Sequence, residues 1–406
     1  MTLPFLNRSV RRLLILLLAG SVGFRPASAD DNPAEAAGLQ QQQLFTAGDA
    51  GYELYRIPAS SRRPTTCCWH TARHGSWPVA TGGHRRLPAP QHRRWSDLDA
   101  PRLLVDASPD DFEPNPLAVQ QKLSGADQIT VNNPVAIADS QPGVVHFLYC
   151  VEYARCFYLR SEDDGLTFSD PVELTSVFDA FRPHYDWKVL ATGPGHGIQM
   201  RGGRLVVPVW LSTGTGGHAH RPSVNAVIYS DDRGRTWHAG ELVSGPERPL
   251  NPSETMAVEL SDGSVMLNFR HESPERLRAV SISPNGATNW SDVRFDDELP
   301  EPVCMASLVR TDRLLGSDRP AIVFSNPYNT ESRDRKNVTI QVSFDDTESW
   351  RYRRTLEPGP SGYSDLACGP DGMLYCLYER NGTQYGPKSL TFARFPLQWV
   401  LDGQSK

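Results

Sequence analysis

From about residue 100 onward, the chain alternates between short apolar, β-branched runs and clusters of Gly, Pro, Asn and Asp. Each run is long enough for one strand, and none continues with the 3.6-residue periodicity of an amphipathic helix. The clearest runs are Val144–Val151, Arg204–Leu211, Ser264–Phe269, Thr339–Phe344 and Met373–Tyr378. The pattern therefore predicts an all-β protein built from many short strands.

A repeat of the form Ser-x-Asp-x-Gly-x-Thr plus an aromatic residue, the Asp box, runs through the same region. It is complete at Ser161–Phe168 and Ser230–Trp237, and degenerate at Ser283–Trp290 and Ser343–Trp350. Asp and Gly favour a hairpin turn, Ser and Thr bond the local backbone, and the aromatic ring fills the core. One copy would be ordinary turn chemistry. Four copies, 53 to 69 residues apart, predict one small antiparallel sheet per repeat and closure into a β-propeller.

The N-terminal residues predict export. Arg8, Arg11 and Arg12 precede the apolar run Leu13–Ala19, and Ala27-Ser28-Ala29 offers a cleavage site. We therefore expect a signal peptide over residues 1–29, a polar leader over 30–43 and one propeller domain over 44–402. The apolar run is too short for a membrane span, although retention as an uncleaved anchor is an alternative. The expected location is secreted or periplasmic.

Composition narrows the function classes. The chain has 406 residues, 39% of them hydrophobic, and a formal net charge of −6, as in a globular protein without the basic excess of a nucleic-acid binder. Seven cysteines leave at least one unpaired in an exported protein; Cys150 with Cys156 and Cys368 with Cys376 are conceivable pairs. No Cys/His cluster has zinc spacing, so we expect no metal and no cofactor. We also expect a monomer without an integral membrane span.

Candidate chemistry rests on five widely separated residues. Arg56, Arg270 and Arg335 occupy strand or turn contexts, and three converging guanidiniums would suit a substrate carboxylate. Tyr363 has a reference pKa of about 10 and would need a base, such as Glu254, to become a nucleophile. Taken singly, each arginine is more often a surface residue, Glu254 a solvated strand residue and Tyr363 a core aromatic.

In their order along the chain, these motifs resemble the exo-sialidases, or neuraminidases, of the secreted bacterial kind. The resemblance covers roughly residues 45–400. Asp boxes alone are weakly specific, whereas the ordered set of Arg, Glu, Arg, Arg, Tyr and Glu is strongly specific. The matching text comprises Tyr55-Arg-Ile-Pro58, the Asp boxes, Gly193-Pro-Gly-His-Gly-Ile-Gln199, Glu254 leading into Val258–Arg270, Arg335-Lys-Asn-Val-Thr339, Tyr363-Ser-Asp-Leu366 and Leu377-Tyr-Glu379.

The resemblance implies a six-bladed β-propeller of the sialidase type with its site at one axial end. Arg56, Arg270 and Arg335 would clamp the carboxylate of sialic acid, with Glu379 orienting Arg56. Tyr363 would be the nucleophile and Glu254 its proton acceptor, in the tyrosine variant of retaining glycoside hydrolysis. Arg333 competes for the third clamp position, and the spacing to Asn337 favours Arg335. Sialylated glycoconjugates would be the substrates.

Residues 59–100 depart from the family pattern. Sialidases carry an acid/base aspartate and a first Asp box here, but this stretch is rich in Arg, His, Pro and Trp. Codons can be chosen for Thr66–Gly82 so that the frame two bases on reads LLLAYCEARQLASGDWG. For Gly83–Pro101 the frame one base on reads DIDGCLRRSTDGGLTWTP, which contains a complete Asp box. We therefore interpret residues 59–100 as out of frame, with the first blade damaged. Neither Asp97 nor Asp99 is a candidate acid, and Cys67, Cys68, His70 and His74 are not a candidate metal site.

Alternative functions stay open at this point. A non-catalytic, lectin-like propeller could keep the arginines, although it has no need of Tyr363 together with Glu254. A structural propeller would use its Asp boxes only to hold turns. Within hydrolases, the arginines would also accept a related acidic sugar. Without the acid/base loop, the printed chain would fold poorly or be nearly inactive.

Overall fold

The structure, a computed structural model, describes most of the chain from Gly38 onward. The described residues are 38–49, 54–61, 67–73, 79–82, 102–105, 107–108, 110–121, 123–124, 129–312, 319–369, 372–383 and 386–405. The predicted signal peptide and most of the predicted leader lie outside them. So do residues 83–101, which would encode the second part of the predicted acid loop and the hidden Asp box.

Short strands make up the described part of the chain, as the apolar runs predicted. The first thirteen are β1 (Gln40–Thr46), β2 (Leu54–Ser61), β3 (Cys67–Arg73), β4 (Val79–Gly82), β5 (Arg102–Val105), β6 (Val131–Ala138), β7 (Val145–Val151), β8 (Arg155–Ser161), β9 (Val172–Glu173), β10 (Val189–Thr192), β11 (Gly195–His196), β12 (Ile198–Gln199) and β13 (Leu205–Ser212). The others are β14 (Ser223–Ser230), β15 (His238–Leu242), β16 (Thr255–Glu259), β17 (Val265–Phe269), β18 (Leu277–Ser283), β19 (Arg294–Pro300), β20 (Ser307–Thr311), β21 (Ala321–Pro327), β22 (Lys336–Ser343), β23 (Tyr352–Cys368), β24 (Met373–Arg380), β25 (Ser389–Pro396) and β26 (Gln404–Ser405).

Helices are short among the described residues. They are α1 (Pro116–Gln120), α2 (Leu397–Leu401) and a 3₁₀ segment over Thr175–Phe181. Asn115 caps α1 by accepting the N–H of Leu117 at 3.1 Å. No described helix has the length and apolar character needed to cross a membrane.

The strands form mainly antiparallel sheets arranged as propeller blades, with β11 parallel to β6, and this confirms the all-β propeller prediction. Four of the sheets have the orders β2-β3-β4-β5, β11-β6-β7-β8-β9, β10-β13-β14-β15 and β16-β17-β18-β19. The fifth runs β1-β25-β24-β23-β22-β21-β20, and the long strand β23 belongs to both of its halves. Division of this sheet at β23 gives two four-stranded groups, which supports the prediction of six blades. The blade number stays a prediction.

The N-terminal strand joins the last sheet. β1 pairs antiparallel with β25, from Gln40 opposite Arg394 to Thr46 opposite Ser389. The sheet therefore starts four residues before the boundary predicted at residue 44. The sequence pattern missed this start because Gln40–Gln43 are exposed on an edge strand, where main-chain pairing needs no apolar side chains.

Each of the four Asp boxes lies in the turn between the third and fourth strand of an antiparallel group of four, namely β6–β9, β10 with β13–β15, β16–β19 and β20–β23. In the first, the N–H of Gly165 donates to Ser161 Oγ at 2.8 Å, and Thr167 Oγ1 donates to Asp163 Oδ2 at 2.7 Å. The box at Ser230 repeats these bonds at the same two distances. In the two degenerate boxes the Ser hydroxyls still accept backbone N–H groups, at 3.0 Å from Gly286 and 2.9 Å from Thr347. The predicted local turn chemistry is confirmed.

Strands also run through the stretch interpreted as out of frame. β3 pairs with β2 and β4, and β4 pairs with β5, although residues 59–100 lack a strand-like alternation. Main-chain ladder bonds are available to almost any sequence, and β2 offers them an edge. Residues 83–101, which would encode the hidden Asp box, separate β4 from β5. In the sheet order this is again the step from the third to the fourth strand.

The buried cysteines at positions 150, 156, 304 and 376 are not in disulfide bonds, and Cys368 is also buried. Cys150 lies opposite Cys156 across β7 and β8, as their proximity suggested. Cys368 and Cys376 are not opposite each other, because Cys368 pairs with Leu374 and Cys376 pairs with Leu366.

Candidate active site

The five candidate residues lie close together, on or directly next to β2, β16, β17, β22 and β23. Glu254 immediately precedes β16, and Arg270 immediately follows β17, the strand antiparallel to it. The N–H of Arg270 donates to the carbonyl oxygen of Glu254 at 2.9 Å, so the ladder register places the two side chains next to each other. Arg56 comes from β2, and Tyr363 comes from the bulged middle of β23.

Tyr363 and Glu254 are hydrogen-bonded, with the phenol donating to Glu254 Oε1. Arg270 Nη1 donates to Glu254 Oε2 at 2.6 Å and to the phenol oxygen at 2.7 Å. Tyr363 is only 5% exposed. The phenol therefore has a carboxylate to receive its proton and a cation to stabilise the phenolate oxygen.

The other two arginines lie against the ring of Tyr363. The Cζ atoms of Arg56 and Arg335 are 5.1 Å and 5.0 Å from its centroid, within the range of a cation–π contact. Arg335 Nη2 also donates to the carbonyl oxygen of Val303 at 2.6 Å. The structure therefore brings Arg56, Arg270 and Arg335 together around one tyrosine, and their role as a carboxylate clamp stays a prediction.

Glu379 holds Arg56 with both carboxylate oxygens, at 2.9 Å from Nε and 3.3 Å from Nη2. It also accepts the N–H of Tyr363 at 3.2 Å, which ties the arginine to the strand that carries the tyrosine. A Cβ atom at Gly362 would lie 2.5 Å from Glu379 Oε2, so only glycine permits this approach. The structure thus places Glu379 where an orienting residue would be expected.

Arg333, the competitor for the third position, points elsewhere. Its Nη2 donates to the carbonyl oxygens of Glu272 and Ser273, at 3.0 Å and 2.6 Å. Arg335, two residues later, is the one that reaches the tyrosine.

Burial and charge divide the protonation states of the tyrosine and the glutamate. Burial raises the pKa of Tyr363 well above its usual value, and the charge of Glu254 adds to the rise. Burial also pushes the pKa of Glu254 upward, but Arg270 and the bond from Tyr363 outweigh it, so the net shift is downward. At neutral pH the pair is therefore a neutral phenol beside an ionised carboxylate.

Three guanidiniums, Arg56, Arg270 and Arg335, lie together in a largely buried setting beside the carboxylates of Glu254 and Glu379. Guanidinium groups bind a planar carboxylate through paired N–H bonds, so the cluster suits a ligand that carries a carboxylate.

One contribution to the site had no signal in the sequence. Arg335 is held by a backbone carbonyl, that of Val303, in a segment where Val303 has a φ of 58°. A valine in the left-handed region is an outlier that surrounding structure must maintain. A main-chain oxygen leaves no trace in residue type, so only the structure could reveal this contact.

Fold and site together define a β-propeller protein with three arginines arranged around a tyrosine–carboxylate pair. Residues 99–376 match the BNR repeat-like domain family. The chain is 29% identical to a sialidase of Micromonospora viridifaciens over 98% of its own length, and it spans 61% of that relative. It is 30% identical to Sialidase-2 of Cricetulus griseus, with 89% of this chain and 96% of the relative covered.

Among solved structures, the chain resembles an intramolecular trans-sialidase from Ruminococcus gnavus. The TM-score is 0.67 at 18% sequence identity, with 88% of this chain and 97% of the other covered. The chain belongs to the sialidase family, with BNR repeats, as the sequence resemblance implied.

Proposed function

We propose that the protein is an exo-α-sialidase that releases terminal sialic acid from glycoconjugates with retention of configuration. The observation that carries the proposal is the hydrogen bond from Tyr363 to Glu254 within a ring of three arginines. Membership of the sialidase family and the convergence of three guanidiniums on Tyr363 support the same activity.

Substrate binding would use the arginines. Sialic acid carries a carboxylate on the anomeric carbon, so clamping that group also places the anomeric carbon at a fixed point. Arg56 is already held rigidly by Glu379, which lowers the entropy lost when the substrate binds. The phenol oxygen of Tyr363 lies beside the guanidinium of Arg270, so the reacting centre would sit directly over the nucleophile.

Bond formation would then follow from the Tyr363–Glu254 pair. The phenol oxygen attacks the anomeric carbon as its proton passes to Glu254, and the bond to the leaving alcohol oxygen breaks. The product of this step is a tyrosyl glycoside, the free alcohol and a protonated Glu254, provided that the alcohol receives a proton from an acid. Water then attacks the same carbon from the side opposite Tyr363 and passes a proton to the group that acted as the acid in the first step, while Tyr363 departs and recovers its proton from Glu254. Two inversions give retention.

A neutral nucleophile suits this substrate. A carboxylate nucleophile about 4 Å from the substrate carboxylate would meet a repulsion of about 4 kcal/mol at an effective dielectric constant of about 20. Tyr363 stays neutral at rest because burial raises its pKa, and it becomes anionic only as its proton moves to Glu254. The charge therefore develops only where the anomeric carbon becomes cationic.

The acid that protonates the leaving group would come from the loop at the join of residues 82 and 83, if the frame were restored. General acid catalysis contributes typically about 10²–10⁴-fold. The printed chain would therefore hydrolyse natural sialosides slowly. It would depend least on the acid with aryl sialosides, whose leaving phenols need little protonation. Sialylated glycoconjugates as substrates, secretion or periplasmic location, and the 44–402 domain boundaries are part of this proposal.

A fluorogenic aryl sialoside tests the proposed function directly. We expect release of the fluorophore, with α-sialic acid as the first product detected by NMR. Binding of free sialic acid without turnover, for both the printed and the frame-corrected chain, would instead identify a lectin-like propeller. Absence of both turnover and binding would identify a structural one.

A further inference from the structure

A buried polar cluster lies beneath the candidate active site, on β2, β11, β20 and β23. At its centre is Asp365, which is fully buried. Its Oδ1 accepts bonds from His196 Nδ1 and from Ser307 Oγ, both at 2.8 Å. Its Oδ2 accepts the N–H and the hydroxyl of Ser60, at 2.5 Å and 2.9 Å. One carboxylate therefore bonds to β2, β11 and β20 while belonging to β23.

Each of these strands also carries part of the site or its support. Asp365 is two residues after Tyr363, and Ser60 is four residues after Arg56. Ser307 is two residues after Met305, whose side chain belongs to the same apolar cluster as Tyr363. A Cβ atom added at Gly195 would lie 2.6 Å from Met305 Cε and 3.2 Å from Asp365 Oδ1. Met305 therefore connects the surroundings of Asp365 with the apolar cluster that contains Tyr363.

The hydrogen bonds of His196 define its protonation state. Nδ1 faces the carboxylate of Asp365, and Nε2 faces the carbonyl oxygen of Leu308 at 3.0 Å. Both partners are acceptors, so both ring nitrogens must carry a proton for both bonds to form, which makes His196 an imidazolium. The direction of the pKa agrees: burial lowers the pKa of His196, but Asp365 outweighs it and the net shift is upward.

The groups around His196 in the described part of the chain are non-titrating, neutral or paired with an opposite charge. Its parallel partner β6 presents Val135 and Ala136, which do not titrate. Near Asp365, burial raises the pKa of Cys376 on β24, so that thiol is neutral. On the side away from the active site, His196 borders a cavity of about 230 Å³. The charged residues that line this cavity are Arg201, Glu259, Arg310 and Asp312. They form the pairs Arg201–Glu259 and Arg310–Asp312, at 3.1 Å and 3.2 Å.

We propose that Asp365 and His196 are positioning residues for the sialidase reaction. Their hydrogen bonds hold β2, β11, β20 and β23 in fixed register, so that Tyr363, Arg56 and Glu254 keep their catalytic geometry. The proposal rests on the proposed function. Apolar contacts between blades are non-directional and permit small axial slips of one strand past another. Hydrogen bonds from three strands to one carboxylate do not permit such slips, and catalytic constellations tolerate only about 0.5 Å of misplacement.

This role explains why a buried charged pair is present where an apolar one would stabilise the fold as well. A buried ion pair is weak support for stability, because desolvation offsets most of its attraction. Its directionality is what an apolar pair lacks. When pH rises through the pKa of His196, one of its two bonds is lost, and the strands should loosen. The sign follows from the raised pKa: the contribution is fully present below the usual value of 6.5 and disappears as pH passes the folded value.

The chain offers a matched control in a second buried pair. His146 Nε2 lies 3.0 Å from Asp139 Oδ2, and both side chains have zero exposure. Asp139 also accepts bonds from Arg233 in an Asp-box turn and from Gln199 on β12, and the pair is not part of the Asp365 cluster. The test compares Asp365→Asn and His196→Gln with Asp139→Asn and His146→Gln in the full chain. The rate of fluorogenic sialoside hydrolysis is measured per folded molecule between pH 5 and 9.

We expect Asp365→Asn and His196→Gln to lower kcat about 10-fold or more with KM changed less than threefold, because small displacements of catalytic groups greatly reduce the rate. We expect the control variants to stay within twofold of the parent kcat. The alkaline fall in kcat of the parent should be absent from His196→Gln. Ser307→Ala, which removes one donor and leaves the charges paired, should lower kcat about threefold and covers the case in which Asp365→Asn does not fold.

The proposal would be overturned if Asp365→Asn and His196→Gln had the same kcat as the parent. It would also be overturned if the control variants lost as much kcat as these two variants. If neither the printed nor the frame-corrected chain turns over a sialoside, the proposed function fails, and a crystal structure of Asp365→Asn decides the positioning role by itself. A Tyr363 hydroxyl displaced from Glu254 would support the role. An undisturbed Tyr363–Glu254 bond would overturn it.

Discussion

The hydroxyl of Tyr363 donates a hydrogen bond to Glu254, 109 residues earlier in the chain. The contact joins β23 to the residue before β16, so it depends on the arrangement of two separate blades. Its environment keeps the phenol protonated and the carboxylate ionised. We therefore expect the proton to move from Tyr363 to Glu254 only when the phenol oxygen forms a bond to the substrate.

Replacement of Tyr363 by Phe should lower kcat for the fluorogenic sialoside by about 10²-fold or more, because the nucleophile is removed while the ring stays in place. The matched control is Tyr378→Phe. Tyr378 is also buried, and its hydroxyl donates to Glu357 at 2.9 Å outside the arginine ring. We expect the control to lose stability without losing kcat. Equal kcat for Tyr363→Phe and the parent would rule out tyrosine as the nucleophile.

Arg335 and Arg333 should differ sharply in their effect on substrate binding. Arg335→Gln removes a guanidinium beside Tyr363, and a charged hydrogen bond of about 1.5–3 kcal/mol corresponds to a rise in KM of about 10- to 100-fold. Arg333→Gln removes only bonds to the carbonyls of Glu272 and Ser273 and should change KM less than threefold. Steady-state kinetics measures both. The opposite ranking would make Arg333 the third clamp residue.

The acid limb of kcat/KM should lie below pH 4.5, the usual pKa of a glutamate, as far as Glu254 controls it. Burial alone would raise its pKa, but the charge of Arg270 leads the effects that lower it. A carboxylate whose pKa is lowered in the folded protein contributes stability above its unfolded pKa. This stability and its action as a base are both lost as pH falls through the folded pKa. Arg270→Gln should therefore shift the limb to higher pH. A pH–rate profile checks the shift, and an unchanged limb would exclude Glu254 as the controlling base.

Restoring the frame across codons 58–101 should raise turnover of natural sialosides much more than turnover of aryl sialosides. The restored acid would protonate an alcohol leaving group, worth about 10²–10⁴-fold, whereas a phenol departs with little help. The measurement is the ratio of kcat/KM for sialyllactose to that for the fluorogenic substrate in both chains. Resequencing gives the complementary result. A gene that encodes residues 59–100 in frame as printed would end the frame-shift interpretation.

The topology adds a reason to expect the hidden Asp box. Each of the four visible boxes lies between the third and fourth strand of its group of four, and residues 83–101 occupy this position between β4 and β5. A box recovered by chance from another frame would have no reason to fall at this point. The frame-shift interpretation stays a prediction that the nucleotide sequence will test.

Much of the fold was predictable because its causes are local. Runs such as Ser264–Phe269 correspond to strands such as β17, because strand formation follows from neighbouring residues. The start of β1 was missed because its glutamines carry no apolar pattern. For the site, the residue types and their order indicated the candidates through a resemblance, but the choice between Arg333 and Arg335 rested on spacing alone. Asp365, Gly362 and the carbonyl of Val303 had no assigned role.

By itself, the sequence determined the β-strand content, the repeated turns and the family of the protein, since turn and strand chemistry acts over a few residues. Only the tertiary structure decided which side chains meet. Blade packing brings Tyr363 against Glu254 and Arg270, places Arg335 rather than Arg333 at the ring, and buries Asp365 with His196 below them. The protonation states follow from that packing, because desolvation and neighbouring charges set a pKa, and both depend on contacts between residues far apart in the chain.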